Sequence, residues 1–150
     1  SLLNARAETL NEKPSFRNAF QRRRCLIPAS GYYEWTTVPG QKAKQPLLYS
    51  LVDQPVFALA GLWESWKSPD GPVETCTIIT TEPNELAARA HDRMPVILSS
   101  EDWDQWLDPE NQKTDELRGI LIPWPAEKMQ VQLVSTVINK AGVEQDPTAT

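Results

Sequence analysis

Glu34 lies among aromatics: in Gly31-Tyr32-Tyr33-Glu34-Trp35 one carboxylate is surrounded by three large rings. In an extended strand Tyr32 and Glu34 share one face, and Tyr33 and Trp35 share the other. A carboxyl in such company is desolvated, its pKa rises, and it becomes suited to general acid or base work. The same residue on an edge strand would simply meet water, and the run alone leaves both readings open. His91 is the only histidine, in His91-Asp92-Arg93-Met94-Pro95. It is the other group fit to exchange a proton near neutrality, although a lone histidine is more often structural. Asp92 can pair with Arg93 on a solvated turn. Asn4 and Arg6 alternate, so in an extended segment an amide and a guanidinium project together. That pair suits a phosphate or a carbonyl oxygen, and suits an ordinary soluble loop equally. Arg22-Arg23-Arg24 offers three cations in a row, which can hold phosphates but more commonly form a solvated face.

Two cysteines invite a nucleophile and do not support one. Cys25 heads the apolar run Cys25-Leu26-Ile27, and Cys76 sits in Thr75-Cys76-Thr77-Ile78-Ile79, which reads as sheet interior. Both are expected to be structural and unreactive. With one histidine and no CxxC spacing, a metal site is not expected, and no cofactor is implied. The 150 residues carry a net charge of -5, which argues against a surface coated for nucleic acid but not against a local basic groove. No apolar run reaches membrane-spanning length, and a cytoplasmic monomer is expected.

The elements that must position these groups follow from pattern. Ser15 is placed to cap a short helix with Phe16, Ala19 and Phe20 on its inner face. Strands are predicted over Leu47–Val52 and Val56–Trp63, read as a pair, and over Glu74–Thr80, Pro95–Leu98 and Val131–Ile138. Ser68-Pro69-Asp70-Gly71-Pro72 is a strong turn signal. A helix is predicted over Asn84–Ala90, another near Trp103, Trp106 and Leu107, and a short one at Thr114–Arg118. Pro28 to Gly31 lets the backbone bend between an apolar run and the aromatic one. The whole predicts one α+β domain over residues 1–150: a mostly antiparallel, barrel-like sheet with short flanking helices and a loose tail over 142–150.

Four motifs, taken in order, are more specific than any one of them. Asn4-Ala5-Arg6-Ala7-Glu8-Thr9, Arg23 to Trp35, Ala60-Gly61-Leu62-Trp63-Glu64 and His91 to Leu98 together resemble the SOS-response-associated peptidase (SRAP) family. The resemblance implies shielding of abasic sites in single-stranded DNA, as part of the DNA damage response. The link is covalent: an N-terminal cysteine closes a thiazolidine ring on the opened sugar aldehyde. It implies that Asn4 orients the reacting end or the opened sugar, that Arg6 and Arg93 hold phosphates, that Glu34 shuttles protons, and that His91 protonates or polarises the sugar oxygen. It also implies a segment ahead of Asn4 that brings the nucleophile, since neither Cys25 nor Cys76 carries a free α-amine. The chain as given is then expected not to crosslink. Two alternatives stay open, a peptidase acting in self-processing and a non-covalent single-stranded DNA-binding module.

Overall fold

The computed structural model describes residues 3–140, so the tail expected over 142–150 lies outside the described residues. Nine strands and three short α-helices run in the order β1 (Leu3–Arg6), α1 (Pro14–Arg22), β2 (Arg24–Ala29), β3 (Tyr32–Thr36), β4 (Gln45–Leu51), β5 (Phe57–Ser68), β6 (Gly71–Thr81), β7 (Met94–Pro95), β8 (Ile97–Leu98), α2 (Trp103–Leu107), α3 (Thr114–Gly119) and β9 (Met129–Leu133). The large sheet has the order β1-β6-β5-β2, with β7 on β6 and β8 on β5, and the small sheet has the order β3-β4-β9. Every pairing is antiparallel except β1 with β6, so the α+β, mostly antiparallel, barrel-like architecture expected from the pattern is the one observed.

Alternation along β5 explains the layering. Leu59 faces the small sheet and packs with Leu47, Tyr49, Leu51 and Met129. Its neighbours Ala60 and Leu62 face the opposite way, onto Phe20 of α1, Trp106 of α2 and Leu117 of α3. A strand buried on both faces reads as a continuous apolar run, as Phe57-Ala58-Leu59-Ala60 does. The 68–72 turn is a two-residue hairpin loop: Ser68 pairs with Gly71, whose φ of 110° only glycine adopts without strain.

One predicted pairing is not made. The 47–52 and 56–63 runs both form strands, but β4 lies in the small sheet and β5 in the large one. In the connection Asp53 stands at φ 61° and an isolated bridge joins Leu51 to Gln54, while Leu51 itself pairs with Met129 of β9. Other local signals shift too. The first helix begins at Pro14 and Ser15 makes no cap, because proline is itself suited to the first helical position. The expected helix over 84–90 contracts to a 3-10 turn at Ala87–Arg89, where the Asn84 side chain accepts the Ala87 amide at 2.8 Å. The closing strand ends at Leu133, and Thr136–Asn139 forms a 3-10 turn capped by Ser135.

The stretch from Arg24 to Thr36 crosses between the sheets. β2 pairs with β5 in the large sheet and β3 pairs with β4 in the small one. The step between them is Ser30-Gly31. A Cβ on Gly31 would stand 2.8 Å from the Tyr49 carbonyl oxygen, so the crossing needs a residue without one.

Candidate functional site

That crossing carries Glu34 over the concave face of the large sheet. Tyr32 and Glu34 turn inward, and the Tyr32 ring stacks on Tyr49 at 5.2 Å with 12° between planes. Opposite them, β1 pairs Asn4 with Ile78 and Arg6 with Thr80, and the 91–95 segment runs beside β6. The result is a cleft of about 160 Å³ between the sheets, lined by Asn4, Tyr32, Tyr33, Glu34, Leu59, Ile78, Thr80, His91, Arg93, Met94 and Pro95. Four of the residues singled out from sequence, Asn4, Glu34, His91 and Arg93, therefore meet in one cavity. Arg6 does not line it; its side chain is 64% exposed at the rim, 3.9 Å from Glu8.

Burial raises the Glu34 carboxyl above its ordinary range, and the nearby His91 opposes that rise. A carboxyl held this way moves toward the range where it can both take and give a proton. The Tyr32 hydroxyl is buried and has no hydrogen-bond partner among the described residues. Desolvation first, then Tyr49 and Glu34, drive its pKa upward, so it stays a neutral donor. His91 lies half exposed at the mouth. Its Nδ1 accepts the Arg93 backbone N–H at 3.1 Å and is 3.2 Å from an Asp92 carboxylate oxygen.

Arg93 is fixed rather than free. Its Nη1 and Nη2 donate to the two Glu8 oxygens at 3.1 and 2.8 Å, Nη2 also donates to the Thr80 carbonyl at 2.8 Å, and Nε donates to Thr80 Oγ1 at 3.3 Å. The side chain is 15% exposed. Asp92 is therefore not its partner; the distant Glu8 is. The Arg93 hydrogen bond leads the effects that lower the Glu8 carboxyl. Glu8 and Thr80 were given no role from sequence. The one available signal was that Glu8 stands two residues after Arg6 in an extended-to-turn segment.

The three arginines before Cys25 do different things. Arg22 is exposed, Arg23 pairs with Glu64 at 2.9 Å, and Arg24 is buried with its guanidinium on backbone carbonyls. They do not form a phosphate cluster. Cys76 corrects the expectation of a sheet-interior thiol, since it is exposed, while Cys25 is half buried. Cys25 faces Gly61, where a Cβ would come within 3.0 Å of its sulfur. Among the described residues there is no group of three or more His, Cys, Asp or Glu side chains placed to hold a metal ion. No described helix is long and apolar enough to cross a membrane.

The model of the SOS response associated peptidase (SRAP) family matches residues 1–141. The chain belongs to the SRAP family. It is 49% identical over 139 residues to the abasic site processing protein YoqW of Bacillus subtilis (strain 168), covering 92% of this chain and 62% of that protein. It is 29% identical to the abasic site processing protein HMCES of Xenopus tropicalis, across 92% of this chain and 46% of that one. A crystal structure of a protein from Bacteroides thetaiotaomicron superposes with a TM-score of 0.83 at 36% identity, over 92% of this chain and 61% of that chain. This SRAP chain thus spans less than two thirds of the length of these relatives.

Proposed function

We propose that the cleft between the two sheets is the reaction pocket for an abasic site in single-stranded DNA. The observation that carries this reading is the convergence of Glu34, His91 and Asn4 from three distant stretches on one small cavity. An abasic nucleotide offers no base to recognise, so the sugar aldehyde and its flanking phosphates are what a protein can hold. A sugar-sized cavity beside an exposed arginine fits that requirement. Arg6 is the freer of the two rim cations and takes the phosphate contact, while Arg93 is already engaged by Glu8.

In this reading the nucleophile is a cysteine at a mature N-terminus, supplied from outside residues 1–150. Its α-amine attacks the aldehyde carbon, forming a C–N bond as the C=O π bond breaks, and Glu34 carries one amine proton to the oxygen, which His91 polarises. The thiol gives its proton to Glu34, which passes it to the new hydroxyl, and this leaves as water to give an iminium that keeps the second amine proton. The thiolate then adds to the iminium carbon, the C=N π electrons return to nitrogen, and the thiazolidine closes with no oxidant or reductant required. Asn4 orients the opened sugar through its amide.

The test joins a cysteine-first N-terminal segment to residues 1–150 and incubates the product with a single-stranded oligonucleotide bearing one abasic site. A band that survives a denaturing gel is expected, and Glu34→Gln or His91→Ala should slow its appearance about 10²-fold or more. Residues 1–150 alone should give no stable band. An adduct from residues 1–150 that disappears on Cys25→Ser or Cys76→Ser would overturn the assignment. So would a cysteine-first protein whose rate ignores both Glu34 and His91.

A further inference from the structure

His91 can serve the cleft in only one of its two neutral forms, and the structure contains the device that selects it. A neutral imidazole carries one N–H, so one ring nitrogen donates and the other accepts. Nδ1 is turned back onto its own segment, where the Arg93 backbone N–H donates to it at 3.1 Å. That contact requires an unprotonated Nδ1 and leaves the proton on Nε2, on the side of the ring away from the turn. Asp92 competes for the same nitrogen at 3.2 Å, but a carboxylate can bond Nδ1 only when Nδ1 carries a proton.

The choice therefore depends on how firmly the Arg93 peptide is held. Arg93 is anchored by its side chain: four of its five guanidinium N–H groups are taken by the Glu8 carboxylate, the Thr80 carbonyl and the Thr80 hydroxyl. Thr80 Oγ1 is tied in turn to the Ala5 carbonyl at 3.4 Å. The anchor thus fastens the 91–93 turn to the junction of β1 and β6. The two-pronged ion pair is the only charged contact in it. We propose that Glu8, acting through Arg93, is a positioning residue that holds His91 in the Nε2–H form and presents that N–H to the cleft. This gives a purpose to Glu8, whose carboxylate would otherwise only weaken the rim's attraction for phosphate. It rests on the cleft being a reaction site for its significance, while the tautomer itself is measured without any substrate.

One histidine in 150 residues makes the measurement direct, because the imidazole nitrogen signals need no assignment. Long-range proton–nitrogen correlation spectra of the nitrogen-15-labelled protein would be recorded at about pH 8.5, well above the ~6.5 of a free imidazole. The wild type should show a single Nε2–H pattern. Glu8→Ala should move both ring nitrogens toward the averaged position of mixed tautomers. Glu8→Gln should fall between, since an amide oxygen keeps one prong of the contact. Asp92→Asn should leave the wild-type pattern unchanged. A folded Glu8→Ala that keeps the pure Nε2–H pattern overturns the proposal, as does a wild type already showing Nδ1–H. A shift caused by Asp92→Asn alone overturns it too, by making Asp92 the director. If Glu8→Ala does not fold, Glu8→Gln decides by the same criterion. A protein that fails to crosslink abasic DNA leaves these spectra unaffected, so the two readings fail separately.

Discussion

Arg24 Nε donates to the Trp106 carbonyl at 2.6 Å while the guanidinium lies 5.6 Å from the centre of the same indole. The remaining nitrogens donate to the Phe20, Gln21, Asp108 and Asn111 carbonyls, which ties the end of α1 to the end of α2. One side chain thus serves the Phe20, Gln21 and Trp106 carbonyls at two helix ends and the Asp108 and Asn111 carbonyls of the loop after α2. Arg24→Met should lower unfolding stability by about 3 kcal/mol, since several buried acceptors lose their donor at once. The midpoint of urea unfolding measures it. A loss below about 1 kcal/mol would place those carbonyls in contact with water instead.

Glu34 sets a pH dependence of stability whose sign follows from its raised pKa. The folded protein holds the Glu34 proton more tightly than the unfolded chain does. Its contribution is therefore fullest below the unfolded pKa of ~4.3 and is lost as pH rises through the folded value. Glu34→Gln has no charge to desolvate. Relative to the wild type it should gain stability between about pH 4 and about pH 8, read as a difference in urea midpoints at the two ends. An unchanged difference would mean that the carboxylate is solvated in the folded state.

Gly31→Ala tests the passage between sheets. The added methyl would meet the Tyr49 carbonyl oxygen at 2.8 Å and Leu48 Cδ1 at 2.9 Å. Backbone cannot give way there as a side-chain end can, so a loss of about 1–3 kcal/mol is expected. Because the strain falls between Arg24 and Glu34, crosslinking by the cysteine-first protein should fall with it.

The two thiols should label at different rates. Burial, and secondarily the adjacent Cys76 thiol, push Cys25 up to about 12, whereas Cys76 is exposed. A maleimide near neutral pH should modify Cys76 first, and Cys76→Ser should remove the fast phase. A fast phase that survives in Cys76→Ser and vanishes in Cys25→Ser would reverse the assignment.

What could be read from the chain was whatever repeats locally. The alternation of Tyr32 and Glu34 against Tyr33 and Trp35 is intrinsic to a strand, and it appears as half-buried Tyr32 and Glu34 against exposed Tyr33 and Trp35, although Tyr33 also borders the cleft. The run from Phe57 to Trp63 and the turn at Pro69-Asp70 are likewise short-range signals. Pairing is not. Nothing within residues 47–63 states that β4 will leave for a second sheet, because that decision rests on β3 and β9, which are distant in sequence. Glu8 illustrates the same limit at the site: its partner is 85 residues away, and no local spacing points to it. Of Trp103, Trp106 and Leu107 on α2, only Trp106 is fully enclosed, while Trp103 packs partly against the core and Leu107 is exposed.

Asn4 and Arg6 stand in register with Ile78 and Thr80, the single parallel pairing among the described residues. Parallel neighbours cannot be joined by a tight turn, and here α1 and strands β2 to β5 lie between them. Closing so long a loop has an entropic cost that local contacts do not offset, so this pairing follows the hairpins of β5 and β6 rather than leading them. During synthesis the amide of Asn4 consequently waits, unplaced, until β6 has left the ribosome. The cleft between the sheets is therefore complete only once the sheet behind it has formed.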